Sequence, residues 1–201
     1  MRVGELLLPI AALIGQELLS SSYLQADETP VAVPMQDKRG KHPQAYLWQY
    51  GRPGGSVVFA FQLGPGRDGA KRCLRGYEGI LQSDGYAAYE QVGGPKRVHA
   101  CCWAHSRRKF LEALKLHPED RVALPLVAQI DELFARDAEA RSATLERAAR
   151  HRWRLARARP LLDRFKPPIE AAQAHARPAR ALGKATRYRL AWWPKLTRFL
   201  Q

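Results

Sequence analysis

All the β-prone runs of this chain lie before Trp103, and from Ala104 onward almost nothing strand-like appears. That division restricts the fold to a sheet-bearing first half and a helical second half. Tyr23, Leu24, Val31 and Val33 flank Asp27-Glu28-Thr29-Pro30, so the first strand is expected to end or break at Asp27. Residues 45–50 (AYLWQY) and 56–63 (SVVFAFQL) predict a second and third strand, joined by a hairpin loop at Gly51-Arg52-Pro53-Gly54-Gly55. Residues 79–84 predict a fourth strand, ending at Asp84, and residues 97–103 a fifth. Short helices are expected over 70–77 and 86–91, a turn at Gly93-Gly94-Pro95, and a charged turn over 36–43. Residues 3–20 predict a leading helix with Leu6, Leu7, Ile10, Leu13, Ile14 and Leu18 on a docking stripe.

A meander of three strands and then helix-connected strands is the ribonuclease-H-like α/β plan. The fourth strand then returns through a helical crossover and can lie beside the first, parallel to it. Asp27 and Asp84 are thereby expected at one sheet edge. Two carboxylates so placed suit a divalent ion, Mg²⁺ or Mn²⁺, in phosphoryl transfer, because such ions take oxygen ligands and retain waters. Read singly, each aspartate is more simply a turn cap; the second strand–aspartate unit is what favours the metal reading.

Charge separates the halves further. The chain carries 33 Lys and Arg against 19 Asp and Glu, a net +14. Residues 97–201 hold 23 basic and 10 acidic residues, so +13 of that charge lies in the second half. A polyanion, with nucleic acid foremost, is the partner this distribution implies. Three cysteines make no disulfide framework, and reduced cytoplasmic thiols are the simpler reading. The apolar run 6–14 is interrupted by Pro9 and flanked by Glu5 and Glu17, which favours a docked helix over a secretion signal. It is too short to span a bilayer, and no membrane partner is expected.

ADETP at 26–30, ILQSDGYAAY at 80–89, CWAHSRRKF at 102–110 and GKATRY…WWPKLTRFL at 183–200 together resemble the central region of the insertion-sequence-sixty-six family of DDE transposases. The likeness covers nearly all of residues 20–201, with the motifs in the family's order. It implies a ribonuclease-H-like core that cuts and rejoins DNA, with Asp27 and Asp84 as the first two catalytic acids. It also implies a domain plan: a leading helix to residue 20, a core over 21–103, a basic helical insertion over 104–181, and the start of the last core segment over 182–201. The family's third acid, a Glu in an Asn-rich motif beyond that segment, has no counterpart before Gln201. Nor do zinc-ribbon and DNA-binding segments precede the core. The chain is therefore expected to be a truncated or decayed transposase fragment, inactive alone, with intact copies as partners besides DNA.

Other motifs carry competing readings. Cys102-x₂-His105 is half of a zinc site, but no second ligand pair stands at a usual spacing, so a buried strand cysteine and a helix-capping histidine are favoured. Arg107, Arg108 and Lys109 open a helix and cannot all face a core; phosphate contact and a solvated face are equally open. A basic helix is expected over 132–159, with Arg147, Arg150, Arg152, Arg154 and Arg157 away from its apolar stripe. Glu146 can pair with Arg150, and the other arginines have no acidic partner in sequence reach before Asp163, which makes them candidate phosphate contacts. Pro160, Pro167, Pro168 and Pro178 are expected to cut the rest of the chain into short helices. The reading is a DDE transposase fragment; its rival is a non-catalytic basic DNA-binding module in which both aspartates are inert.

Overall fold

Residues 44–63 set large and small apolar side chains around a glycine-rich loop, and they fold as the hairpin that this chemistry dictates. The computed structural model describes residues 3–33, 44–64 and 67–201, so the charged turn expected over 36–43 lies outside the described residues. Strands β2 (Gln44–Gly51) and β3 (Val57–Leu63) pair antiparallel from Ala45↔Leu63 to Gly51↔Val57. Gly54 adopts φ 70° and the Gly55 amide donates to the Arg52 carbonyl at 3.0 Å, closing the loop.

Strand β1 (Tyr23–Ala32) does not stop at Asp27. It runs on through Pro30, paired antiparallel with β2 from Gln25↔Gly51 to Ala32↔Gln44. The reason is local: β4 (Ile80–Ser83) pairs with β1 only from Tyr23 to Gln25. Beyond Gln25 that side of β1 is an edge, where proline's missing N–H costs no ladder bond. The five-stranded sheet has order β3-β2-β1-β4-β5, with β5 spanning Val98–Cys101. β1, β4 and β5 are mutually parallel, so the first and fourth strands are the expected parallel neighbours.

Leu24, Ala26, Trp48, Tyr50, Leu81 and Tyr89 form the centre of the core under this sheet. Helix α1 (Val3–Leu19) joins it only at its last turns, through Leu18 and half-buried Ile14. Leu6, Leu7, Ile10 and Leu13 are 53–65% exposed, so most of the expected docking stripe is uncovered. Helix α2 (Arg67–Cys73) begins earlier than expected, and residues 87–89 make a single 3-10 turn rather than a helix over 86–91. β5 stops at Cys101, two residues short of its predicted end, because Trp103 already opens a helix.

The chain divides into two compact units, Met1–Cys101 and Cys102–Gln201. The second is all helix: α3 (Trp103–Leu116), α4 (Ala123–Ser142), α5 (Arg147–His175), α6 (Ala181–Ala191) and α7 (Trp193–Leu196). Two expectations fail in it. The single basic helix over 132–159 is broken at Thr144, which takes φ 47°, and Glu146 then precedes the first turn of α5. Conversely, Pro160, Pro167 and Pro168 lie inside one 29-residue helix. Each proline forfeits an i→i−4 bond, at about 3 kcal/mol in an exposed helix. Burial of Leu161, Leu162, Phe165 and Ile169 on the same helix offsets that loss, at about 1.5–3 kcal/mol per side chain. The Trp103 indole donates to the Leu196 carbonyl at 2.8 Å and meets Trp193 edge-on at 6.0 Å, which fastens α7 to α3. No described helix is long and apolar enough to cross a membrane.

Candidate active site

The β1–β4 pairing sets a constant offset: Tyr23↔Ile80, Leu24↔Leu81, Gln25↔Gln82. Asp27 and Asp84 are separated in sequence by this same offset, each two residues past the last paired positions, Gln25 and Gln82. The row leading up to them is polar. Tyr23 Oη donates to Gln82 Oε1 at 2.6 Å, and Gln25 Nε2 donates to the same oxygen at 2.9 Å. Side chains alternate along a strand, so Asp27 shares the exposed face of Gln25, away from buried Leu24 and Ala26.

Backbone donors orient both carboxylates. The Glu28 amide donates to Asp27 Oδ1 at 3.0 Å. The Tyr86 amide donates to Asp84 Oδ1 at 2.7 Å across a turn that Gly85 completes at φ 89°. Asp27 is exposed and Asp84 half-buried.

Three residues around Asp84 were not legible as site residues. Ser83 Oγ lies 2.8 Å from His99 Nε2, and His99 Nδ1 lies 3.2 Å from Glu90 Oε1. This serine–histidine–glutamate chain has the connectivity of a nucleophilic triad, but Ser83 is 1% exposed and His99 3%, so no substrate reaches the hydroxyl. The bond joins β4 to β5 directly beneath Asp84. His99→Ala, which takes the imidazole from the buried Ser83 hydroxyl and leaves it the Gly85 amide at 3.4 Å, is expected to destabilise the chain by about 1–3 kcal/mol in urea unfolding. The hint in the sequence was a histidine inside an otherwise apolar strand.

Glu28 is the other omission. It alternates to the face opposite Asp27 and is half-buried. Burial raises the Tyr89 hydroxyl pKa far above its ordinary value, and the charges of Glu28, Tyr50 and Asp84 raise it further. Glu28 and Asp84 thus share Tyr89 as a neighbour, and that phenol stays protonated. Burial and the nearby Cys73 act on Tyr50 in the same direction.

In the helical unit Cys102 immediately precedes α3, with His105 in its first turn. Burial pushes the Cys102 thiol up, but hydrogen bonds from the His105 side chain and from the His105 and Ala104 backbone outweigh it and hold the thiol below its ordinary value. Among the described residues no group of three or more His, Cys, Asp or Glu side chains is placed to hold a metal.

The arginines singled out for phosphate contact differ in how free they are. Arg107 forms a forked pair with Asp131, at 2.5 and 3.0 Å. Arg154 pairs with Asp137 at 2.9 Å, a partner on α4 that the broken helix brings within reach. Arg150 donates to the Leu145 carbonyl at 3.0 Å rather than to Glu146, and Arg157 lies over the Trp153 ring at 5.2 Å. Lys109 lies 4.6 Å over the Tyr188 ring. Arg108, Arg147 and Arg152 are exposed.

Comparison with known proteins bears on what such an arrangement belongs to. The uncharacterized protein y4qI of Sinorhizobium fredii (strain NBRC 101917 / NGR234) is 36% identical over an alignment of 134 positions that covers 58% of this chain and 24% of that protein. The uncharacterized protein y4jD of the same strain is 34% identical over an alignment of 141 positions that covers 65% of this chain and 26% of that protein. The chain therefore spans about a quarter of the length of the curated relatives it matches. No solved structure matches. The family model described as Transposase IS66 family matches residues 1–201 from end to end, and the chain belongs to that family.

Proposed function

We propose that the strand-rich unit is the ribonuclease-H-like core of a DDE transposase, in which Asp27 and Asp84 hold a divalent cation for DNA cleavage and strand transfer at insertion-sequence ends. The observation that supports this most is the parallel β1–β4 register, whose offset equals the separation of the two aspartates. The donor set fits a hard ion. Asp27 stands within β1 and Asp84 just past the end of β4, with no thiol or imidazole among the described residues of the polar row, and Mg²⁺ commonly takes one or two carboxylates together with waters and substrate phosphates. When bound, such an ion activates the attacking oxygen and stabilises the leaving one. The chain's own part is orientation: the Glu28 and Tyr86 amides aim the two carboxylates, and the Ser83–His99 bond braces the strand that carries Asp84. Two acids make an incomplete DDE constellation. The complete reaction, the third acid and the DNA partners are thus proposals for the longer proteins of the family, as is a cytoplasmic location.

Mn²⁺ titration monitored by electron paramagnetic resonance tests the site without requiring turnover. Wild-type chain is expected to bind the ion weakly, and Asp27→Ala and Asp84→Ala are each expected to weaken binding at least tenfold with circular dichroism unchanged. Retention of wild-type affinity in both variants would eliminate the aspartates as ligands. The second reading, a basic DNA-binding module, has its own support in the +13 carried by residues 97–201, and the two readings are compatible because they use different units.

A further inference from the structure

We infer that the phosphate backbone of DNA is held in a cleft of the helical unit where α3 and α5 end and α6 begins, rather than along the arginine-rich face of α5. This rests on the DNA-acting reading above and assigns the nucleic-acid contact to residues that the sequence patterns left aside. The cleft has a volume of about 770 Å³, and its lining includes Lys109, His117, His175, Arg177, Arg180 and Lys184. Arg177, Arg180 and Lys184 carry no side-chain ion pair or hydrogen bond among the described residues, and Arg180 and Lys184 are exposed. On the α5 face Arg154 is neutralised by Asp137, Arg157 is stacked on Trp153 and Arg150 donates to the Leu145 carbonyl, while Arg147 and Arg152 are exposed there but do not line the cleft. Two acids also line the cleft, Glu112 and Asp120. Asp120 is already engaged, accepting from the Val122 and Ala123 amides, both at 2.9 Å, at the start of α4.

The start of α6 adds backbone donors. No side chain caps it, so the first-turn amides of Ala181 and Leu182, both in the cleft lining, point along the helix dipole without a capping acceptor. The loop before them is held close. A Cβ on buried Gly183 would collide with the Arg177 carbonyl, so only glycine lets residues 177–180 fold back against the helix and set Arg177 and Arg180 around its first turn. Arg180, Lys184 and Arg187 recur at spacings of four and three residues, which places them on one face of α6. A phosphate would sit among Arg177, Arg180 and Lys184 in the cleft. A duplex backbone would also run along that face and release several counterions, as a unit of this charge favours.

The test is fluorescence anisotropy of a labelled random-sequence DNA duplex, titrated with the full chain over a salt series. Arg180→Glu/Lys184→Glu is expected to weaken binding at least tenfold and to lower the log–log salt slope by about two. Arg147→Glu/Arg152→Glu on the exposed face of α5 makes the same change in net charge and is expected to weaken binding less than threefold. Equal losses in the two variants would reduce the effect to bulk charge and overturn the cleft. So would wild-type affinity in the cleft variant, or inorganic phosphate at millimolar concentration displacing the duplex completely. Tighter binding of an RNA duplex of the same sequence would overturn DNA as the occupant. Absence of any duplex binding by the wild-type chain would instead defeat the DNA-acting reading on which the cleft rests. Circular dichroism melting, expected unchanged because the substituted side chains are exposed, separates lost contact from lost fold.

Discussion

Trp48→Ala is expected to cost the strand-rich unit about 3–5 kcal/mol, the loss typical of deleting a buried aromatic ring. Trp48 is fully buried on β2, between β1 and β3, with Glu28 and Ala60 as its register partners. Its ring lies 6.0 Å from Tyr46, 6.4 Å from Tyr86 and 5.8 Å edge-on from Tyr89. The substitution therefore removes area and three ring contacts together. A unit of about 100 residues has only about 5–15 kcal/mol to lose, so the first transition in guanidinium unfolding should shift to much lower denaturant or vanish. Trp48→Phe supplies the control. Among the described residues the indole N–H has no hydrogen-bond partner, so phenylalanine gives up volume and no bond there, and it is expected to cost less than half as much. An equal loss for both would show that the indole nitrogen matters more than the ring packing.

The helical unit has its counterpart in Phe110→Ala, expected to be at least as costly. Phe110 is fully buried, and so is the Arg189 guanidinium 4.8 Å above its ring. Arg189 lies between two aromatic faces, the second being Trp103 at 5.1 Å, and its three side-chain nitrogens have no hydrogen-bond partner among the described residues. Burial pushes its pKa down to about 9. Removing a charge from water costs several kcal/mol, and each desolvated cation–π contact returns about 2 kcal/mol; the two rings therefore roughly balance the burial. Arg189→Met should in consequence lie within about 2 kcal/mol of wild type, because the cost and its offset disappear together. Phe110→Ala removes one ring, leaves the cation, and adds a cavity worth about 3–5 kcal/mol. The measurement is a double-mutant cycle of Phe110→Leu with Arg189→Met, in which a coupling of about 2 kcal/mol is expected. A coupling near zero would mean that the ring does not stabilise the guanidinium.

Legibility in the sequence depended on how far apart the interacting residues stand. Apolar runs and glycine-rich turns act over a few residues, so the five strands, their order and the helical second half could be read directly. So could the parallel pairing of the first and fourth strands, since this needs only a crossover connection. Errors gathered where a neighbour from elsewhere in the chain intervenes. Asp27-Glu28-Thr29-Pro30 looks like a strand end, yet β2 supplies a ladder along its whole length. Three prolines look like helix stops, yet the buried face of α5 carries the helix past them.

The arginines show the same limit. No acid lies within a turn of Arg154, and only the break at Thr144 lets Asp137 reach it. Ser83, His99 and Glu90 are scattered over two strands and a turn, with no spacing that marks them as a chain. The sequence by itself determined most element types and the charge division, because propensity, periodicity and net charge are local or additive. Tertiary structure alone decided which cations remain unneutralised and which polar groups are buried, because both depend on contacts between residues far apart in the chain.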